Sequence, residues 1–125
     1  MPPSSPITEE ALVDFIESVG IVTFVDIMQH FGSAAQGSHV LTWNGDPHLI
    51  VWDQVSQSLQ SAIAAAITHR QIYGDVTEPK IYLGNGLLSR FPLAKTLTLH
   101  HYKTPHWVPV CLSIWRFSDK PMTTI

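Results

Sequence analysis

A chain of 125 residues has the length of one ordinary domain and can bury a core without disulfides or a structural metal. Hydrophobic residues make up 45% of it and charged residues 14%, against about 25% charged in a typical domain. This excludes a disordered polyelectrolyte and implies a large core or a sparsely charged, contact-prone surface. The net charge of −3 is unevenly spread. Residues 1–53 contain no Lys or Arg and carry Glu9, Glu10, Asp14, Glu17, Asp26, Asp46 and Asp53, whereas all 7 basic residues lie within 54–125. The single cysteine, Cys111, has no intrachain partner and points away from an oxidising compartment. Met1–Pro6 is Pro/Ser-rich, without the charged and apolar regions of a signal peptide. No apolar run approaches the ~18 residues of a membrane span. The expectation is a cytoplasmic protein with no membrane partner.

Residues 1–7 are expected to be disordered and 8–120 to form a single domain. The first helix is predicted over Glu9–Val19, capped by Thr8 and ended by Gly20, with Leu12, Phe15, Ile16 and Val19 as its apolar stripe. Ile21 and Val22 make a very short strand. A second helix runs from Phe24 to Phe31, with Thr23 and Asp26 forming a capping box and Gly32 as its stop. Residues 33–39 read as a loop. Val40–Trp43 and His48–Trp52 flank Asn44-Gly45, a strong hairpin signal, and the unbroken run Leu49–Trp52 predicts a strand covered on both faces. The third helix is predicted from an Asp53 cap to about Arg70, turning Val55, Leu59, Ala62, Ile63, Ala66 and Ile67 inward and Gln54, Gln57, Gln60, Ser61 and Thr68 outward. Ile72-Tyr73 and Lys80–Leu83 read as a further hairpin. Lys95–Tyr102 and Trp107–Phe117 read as a C-terminal hairpin at about 95–117, with Pro109 marking an edge or a bulge.

The strings IESVGIVTFVDIMQHFG and AIAAAITHRQIYGDVTEPKIYLG, in this order of elements, resemble the winged helix-turn-helix family over about residues 9–83. The fold expected from the resemblance is α+β, a winged-helix-like three-helix core with a wing hairpin, an inserted hairpin and the extra C-terminal β-hairpin. The family joins its second and third helices by a tight turn, so either the Asn44-Gly45 hairpin is an insertion or the third helix here is not the family's recognition helix. The resemblance implies nucleic-acid binding, DNA ahead of RNA, by a protein that doubles its contacts as a homodimer. It places Gln54, Gln57, Gln60 and Ser61 at base edges and Arg70 and Lys80 at phosphates. Gln suits adenine N6 and N7, and Ser adapts to either base. The alternative is a winged-helix-like protein–protein interaction module without nucleic-acid binding. Asp75 and Glu78 in the wing and the low density of Lys and Arg favour it.

The C-terminal stretch interleaves cationic and aromatic side chains. Of these, His100, Tyr102, Lys103, His106 and Trp107 form a candidate partner or oligomer surface. Seven histidines raise the question of a metal, but neighbours such as His100 and His101 alternate faces on a strand, and no HxxxH, HExxH or CxxC pattern occurs. Cys111 sits in an apolar run as a small core residue, and no GxSxG, P-loop or GxGxxG motif is present. No metal, no cofactor and no catalysis are expected.

Overall fold

The computed structural model of the protein describes residues 6–78 and 91–114. The first elements follow the local chemistry. Helix α1 (Glu9–Val19) starts where Thr8 Oγ1 accepts from Ala11 N at 3.1 Å, and it ends at Gly20, whose φ of 103° suits only glycine. Strand β1 (Ile21–Thr23) leads directly into α2 (Phe24–Phe31). There Thr23 and Asp26 form a reciprocal capping box, with Thr23 N donating to Asp26 Oδ2 at 2.9 Å and Asp26 N to Thr23 Oγ1 at 3.2 Å. Ile7, placed by its sequence in a disordered tail, is buried, and its N–H donates to Ser58 Oγ at 3.0 Å. The packed part of the chain therefore begins earlier than expected.

A single 3₁₀ turn (Gly32–Ala35) leads into β2 (Gln36–Trp43), so the expected loop at 33–39 is mostly strand. β2 pairs antiparallel with β3 (Asp46–Val55) across Asn44 (φ 51°) and Gly45 (φ 76°), the pair of positive φ angles that a tight type I′ turn needs. Leu49, Ile50, Val51 and Trp52 are all buried, as a strand covered on both faces requires. β3 runs three residues past Trp52, and α3 (Gln57–Thr68) is capped by Ser56, which accepts from Leu59 N at 3.2 Å. Asp53 is therefore not the cap. The β-branched Val55 is buried and pairs with both Gln36 and His39, which keeps Asp53–Val55 in the sheet. The register shifts between Gln36 and His39, and Gln54 takes a positive φ of 56° beside this irregularity.

The second half departs most from expectation. β4 (Ile72–Val76) forms, but its partner among the described residues is β6 (Val110–Ile114), antiparallel from Ile72↔Ile114 to Val76↔Val110. The expected return strand Lys80–Leu83 lies outside the described residues. The other edge of β6 pairs with β1, giving the sheet order β1-β6-β4. Residues 95–102 are not a strand, so the C-terminal hairpin at about 95–117 does not form. Instead β5 (His106–Trp107) joins the other sheet, parallel to β3, in the order β2-β3-β5. Pro109 marks neither an edge nor a bulge. It lies between β5 and β6, where the chain crosses from one sheet to the other, a place where no ladder bond asks for its missing N–H. The architecture is mixed α+β, and the described residues form three helices and two small three-stranded sheets. Trp52 of β3 packs its sheet against α2, stacked on Phe24 (6.1 Å) and edge-on to Trp107 of the neighbouring β5 (6.4 Å).

Gly37 has a structural reason that its apparent loop position concealed. A Cβ there would lie 2.6 Å from Val55 O and 2.7 Å from Ser56 Cα, both backbone atoms. Gly37→Ala is expected to destabilise the fold by about 1–3 kcal/mol, the usual cost of overpacking. Urea denaturation with an unchanged m-value would show it as a shifted midpoint.

Candidate binding surfaces

Helix α3 buries Leu59, Ala62, Ile63, Ala66 and Ile67, and exposes Gln57, Ser61, Ala64 and Thr68 as one uncharged stripe. The sequence-derived readers divide. Gln57 and Ser61 lie on this stripe. Gln60 is half-buried and turned aside, its Nε2 donating to Val40 O of β2 at 3.4 Å. Gln54 is exposed but belongs to β3, so it is not a helix residue as expected. Arg70 is exposed just past the helix end at a φ of 57°, and Lys80 lies outside the described residues. Between α3 and β2 runs an open groove of ≈ 340 Å³, lined by Val40, Leu41, Thr42, Gln60, Ser61, Ile63 and Ala64, without a charged group. At the far end of the helix, His69 Nδ1 meets Glu9 Oε2 at 2.8 Å and Gln71 Nε2 donates to the same carboxylate, which joins the end of α3 to the start of α1.

The second surface is the irregular segment 91–105, fastened to the tip of the β2–β3 hairpin. Asp46, 2% exposed, accepts from His48 N through Oδ1 (2.9 Å) and from His100 N through Oδ2 (2.7 Å). The first of these is an Asx turn, the second a bond spanning 54 residues. These two donors, His100 first and His48 second, hold the Asp46 carboxyl below its ordinary value. His48 Nδ1 donates to Tyr102 O at 2.8 Å. The Tyr102 hydroxyl accepts from Lys95 N (2.7 Å) and Thr96 N (3.2 Å), and its ring stacks on His106 at 3.7 Å. His106 Nδ1 donates in turn to Thr104 O at 2.8 Å.

These bonds decide which of the sequence-derived partner residues face outward. His100 and Lys103 are exposed, Tyr102 and His106 are half-buried inside the loop, and Trp107 is 3% exposed, a core residue and not a surface one. The same loop exposes Leu93, Leu97 and Leu99, and Lys95 stands at one end of Tyr102 with Lys103 at the other. Residues 91–114 contain no Asp or Glu. Asp46 was the member that sequence reasoning missed. It looked like an ordinary turn residue, and the only local sign was an Asp placed two residues before a free N–H donor.

Arg70, Lys95 and Lys103 are the only Lys or Arg among the described residues. Acidic side chains concentrate on α1, whose outward face presents Glu10, Asp14 and Glu17. Among the described residues no group of three His, Cys, Asp or Glu is placed to hold a metal ion. Cys111 is buried in β6, its thiol directed to Asp75 O at 3.7 Å. Among the described residues no helix is long and apolar enough to cross a membrane. No protein-family model, curated protein or solved structure matches the chain.

The Asp46 clasp has a pH signature. A carboxyl held low stabilises the fold fully above the ordinary carboxylate range, and that contribution is lost as pH falls through the lowered folded value. Asp46→Asn keeps one acceptor but turns an NH₂ toward a backbone donor. The variant is expected to melt at a lower temperature than the parent at neutral pH, with the gap closing in strong acid. Thermal melts followed by circular dichroism at the two pH values test this. A gap of constant size would place the effect in packing instead of charge.

Proposed function

We propose that this chain is a winged-helix-like, non-enzymatic binding module whose partner is another protein. The observation that carries this reading is the loop at 91–105, in which exposed Leu93, Leu97 and Leu99 stand beside Lys95 and Lys103 on a backbone pinned through Asp46 and Tyr102. Apolar side chains held outward on an ordered loop are what a docking partner covers. The winged-helix part of the reading is supported by the element order: helix, short strand, helix, then a further helix leading into β4, with β1 and β4 in one sheet. The non-enzymatic part is supported by Cys111, the one nucleophile-like candidate of the sequence, lying in the core.

Nucleic-acid binding, DNA ahead of RNA, is the second reading. The uncharged stripe of Gln57, Ser61, Ala64 and Thr68 favours it, because Gln and Ser suit base edges and the methyl groups of Ala and Thr suit thymine. Phosphate contacts dominate such affinity, and of the described cations only Arg70 belongs to the end of that helix. Gln60, moreover, is engaged with β2. The charge balance therefore ranks the protein partner first.

A fluorescence-anisotropy titration with a random-sequence duplex and a single strand, at low and at physiological salt, separates the two. The expected outcome is no binding at physiological salt and at most weak binding at low salt. Submicromolar affinity that falls steeply with salt would overturn the protein-partner reading. In that event Gln57→Ala with Ser61→Ala should weaken specific binding and leave folding intact.

A further inference from the structure

We infer that the partner of the 91–105 loop is the α1 face of a second copy of this chain, in a head-to-tail contact. The inference rests on the protein-partner reading and adds the partner's identity. The loop offers Lys95 and Lys103 with no acidic residue anywhere in 91–114. α1 offers the opposite chemistry, with Glu10, Asp14 and Glu17 exposed at i, i+4 and i+7 and no basic residue in the helix. None of these five side chains makes an ion pair with another described residue.

The geometry is compatible. Three acids at this spacing form one stripe roughly 10 Å long at 1.5 Å rise per residue. The two lysines are set apart by the length of Tyr102, whose hydroxyl binds the backbone of Lys95 while its own backbone adjoins Lys103. The loop also has exposed aliphatic side chains to cover, Leu97 (39% exposed) and Leu99 (45%). Both surfaces belong to one chain but are different surfaces, so the contact is heterologous and generates a ring or an open chain of protomers instead of a two-fold dimer. Charge attraction between exposed groups also makes the contact sensitive to salt.

Sedimentation velocity of the whole chain over the micromolar to millimolar range, at low and at high salt, is the test. Concentration-dependent association that weakens with salt is expected. Lys95→Glu with Lys103→Glu should abolish it, as should Asp14→Lys with Glu17→Lys. A chain carrying all four changes keeps the net charge of −3 and should associate again, which neither a folding defect nor a general change in charge would produce. All these positions are exposed, and circular dichroism checks that each variant is folded. A wild-type chain that stays monomeric at low salt throughout this range overturns the inference, as does a four-fold variant that fails to regain association. A monomeric wild type that co-sediments with phosphatidylserine vesicles would assign the loop to an anionic membrane. Salt-steep duplex binding would instead overturn the underlying protein-partner reading, so the two failures are distinguishable.

Discussion

Neither β1 nor β4 has a strand partner among the described residues except β6. The whole first sheet therefore depends on a strand from the far end of the chain, inserted between two short strands that are themselves separated by nearly fifty residues of sequence. β1 has three residues and β4 has five, and isolated pairs of that length are not stable in water. β6 supplies the missing backbone partners on both sides and buries Val110, Cys111 and Leu112 in doing so. The helices gain from the same insertion, since the sheet is the floor on which the apolar stripe of α1 rests. Strand pairing between segments this far apart in sequence raises the contact order of the fold, which slows folding.

Bringing β6 to the centre has a consequence for the surface. To reach it, the chain must travel from β4 around to the second sheet and back, and β5, Pro109 and the 91–105 loop are the path of that return. The loop has few regular backbone bonds, so its shape comes from side chains: Asp46 under His100, His48 under Tyr102 and Tyr102 over Lys95. The hairpin between α2 and α3 supplies Asp46 and His48, which fasten this loop. It is the support on which the exposed leucines and lysines are presented. Among the described residues, α1 presents Glu10, Asp14 and Glu17, and this loop presents Lys95 and Lys103.

The elements built from local chemistry were legible in the residues. Thr8, Thr23 and Asp26, Gly20, Gly32 and Asn44-Gly45 each act within a few positions of themselves, and α1, β1, α2 and the hairpin turn lie where those residues place them. The start of α3 was misplaced because Asp53 and Ser56 are both good caps. What separates them is the pairing of Val55 across the sheet, which no local signal contains. That shift removed Gln54 from the helix. The contact of Gln60 with Val40 then turned a second candidate reader aside, leaving Gln57 and Ser61 on the exposed stripe.

The sequence by itself determined where α1 and α2 start and stop, which residues are apolar enough for the core, and that cations are confined to the later part of the chain. Those properties are carried by each residue and its near neighbours. Only the tertiary structure decided that 95–102 is a loop, that β5 and β6 belong to different sheets, that Trp107 is core and that Asp46 is a clasp. Each of these is settled by a partner dozens of residues away, because alternation of apolar residues shows that a segment wants a strand beside it without showing which strand. The buried carboxylate of Asp46 is the plainest case. Beside Asn44-Gly45 it reads as one more turn residue, and its part in the molecule exists only once the N–H of His100 arrives.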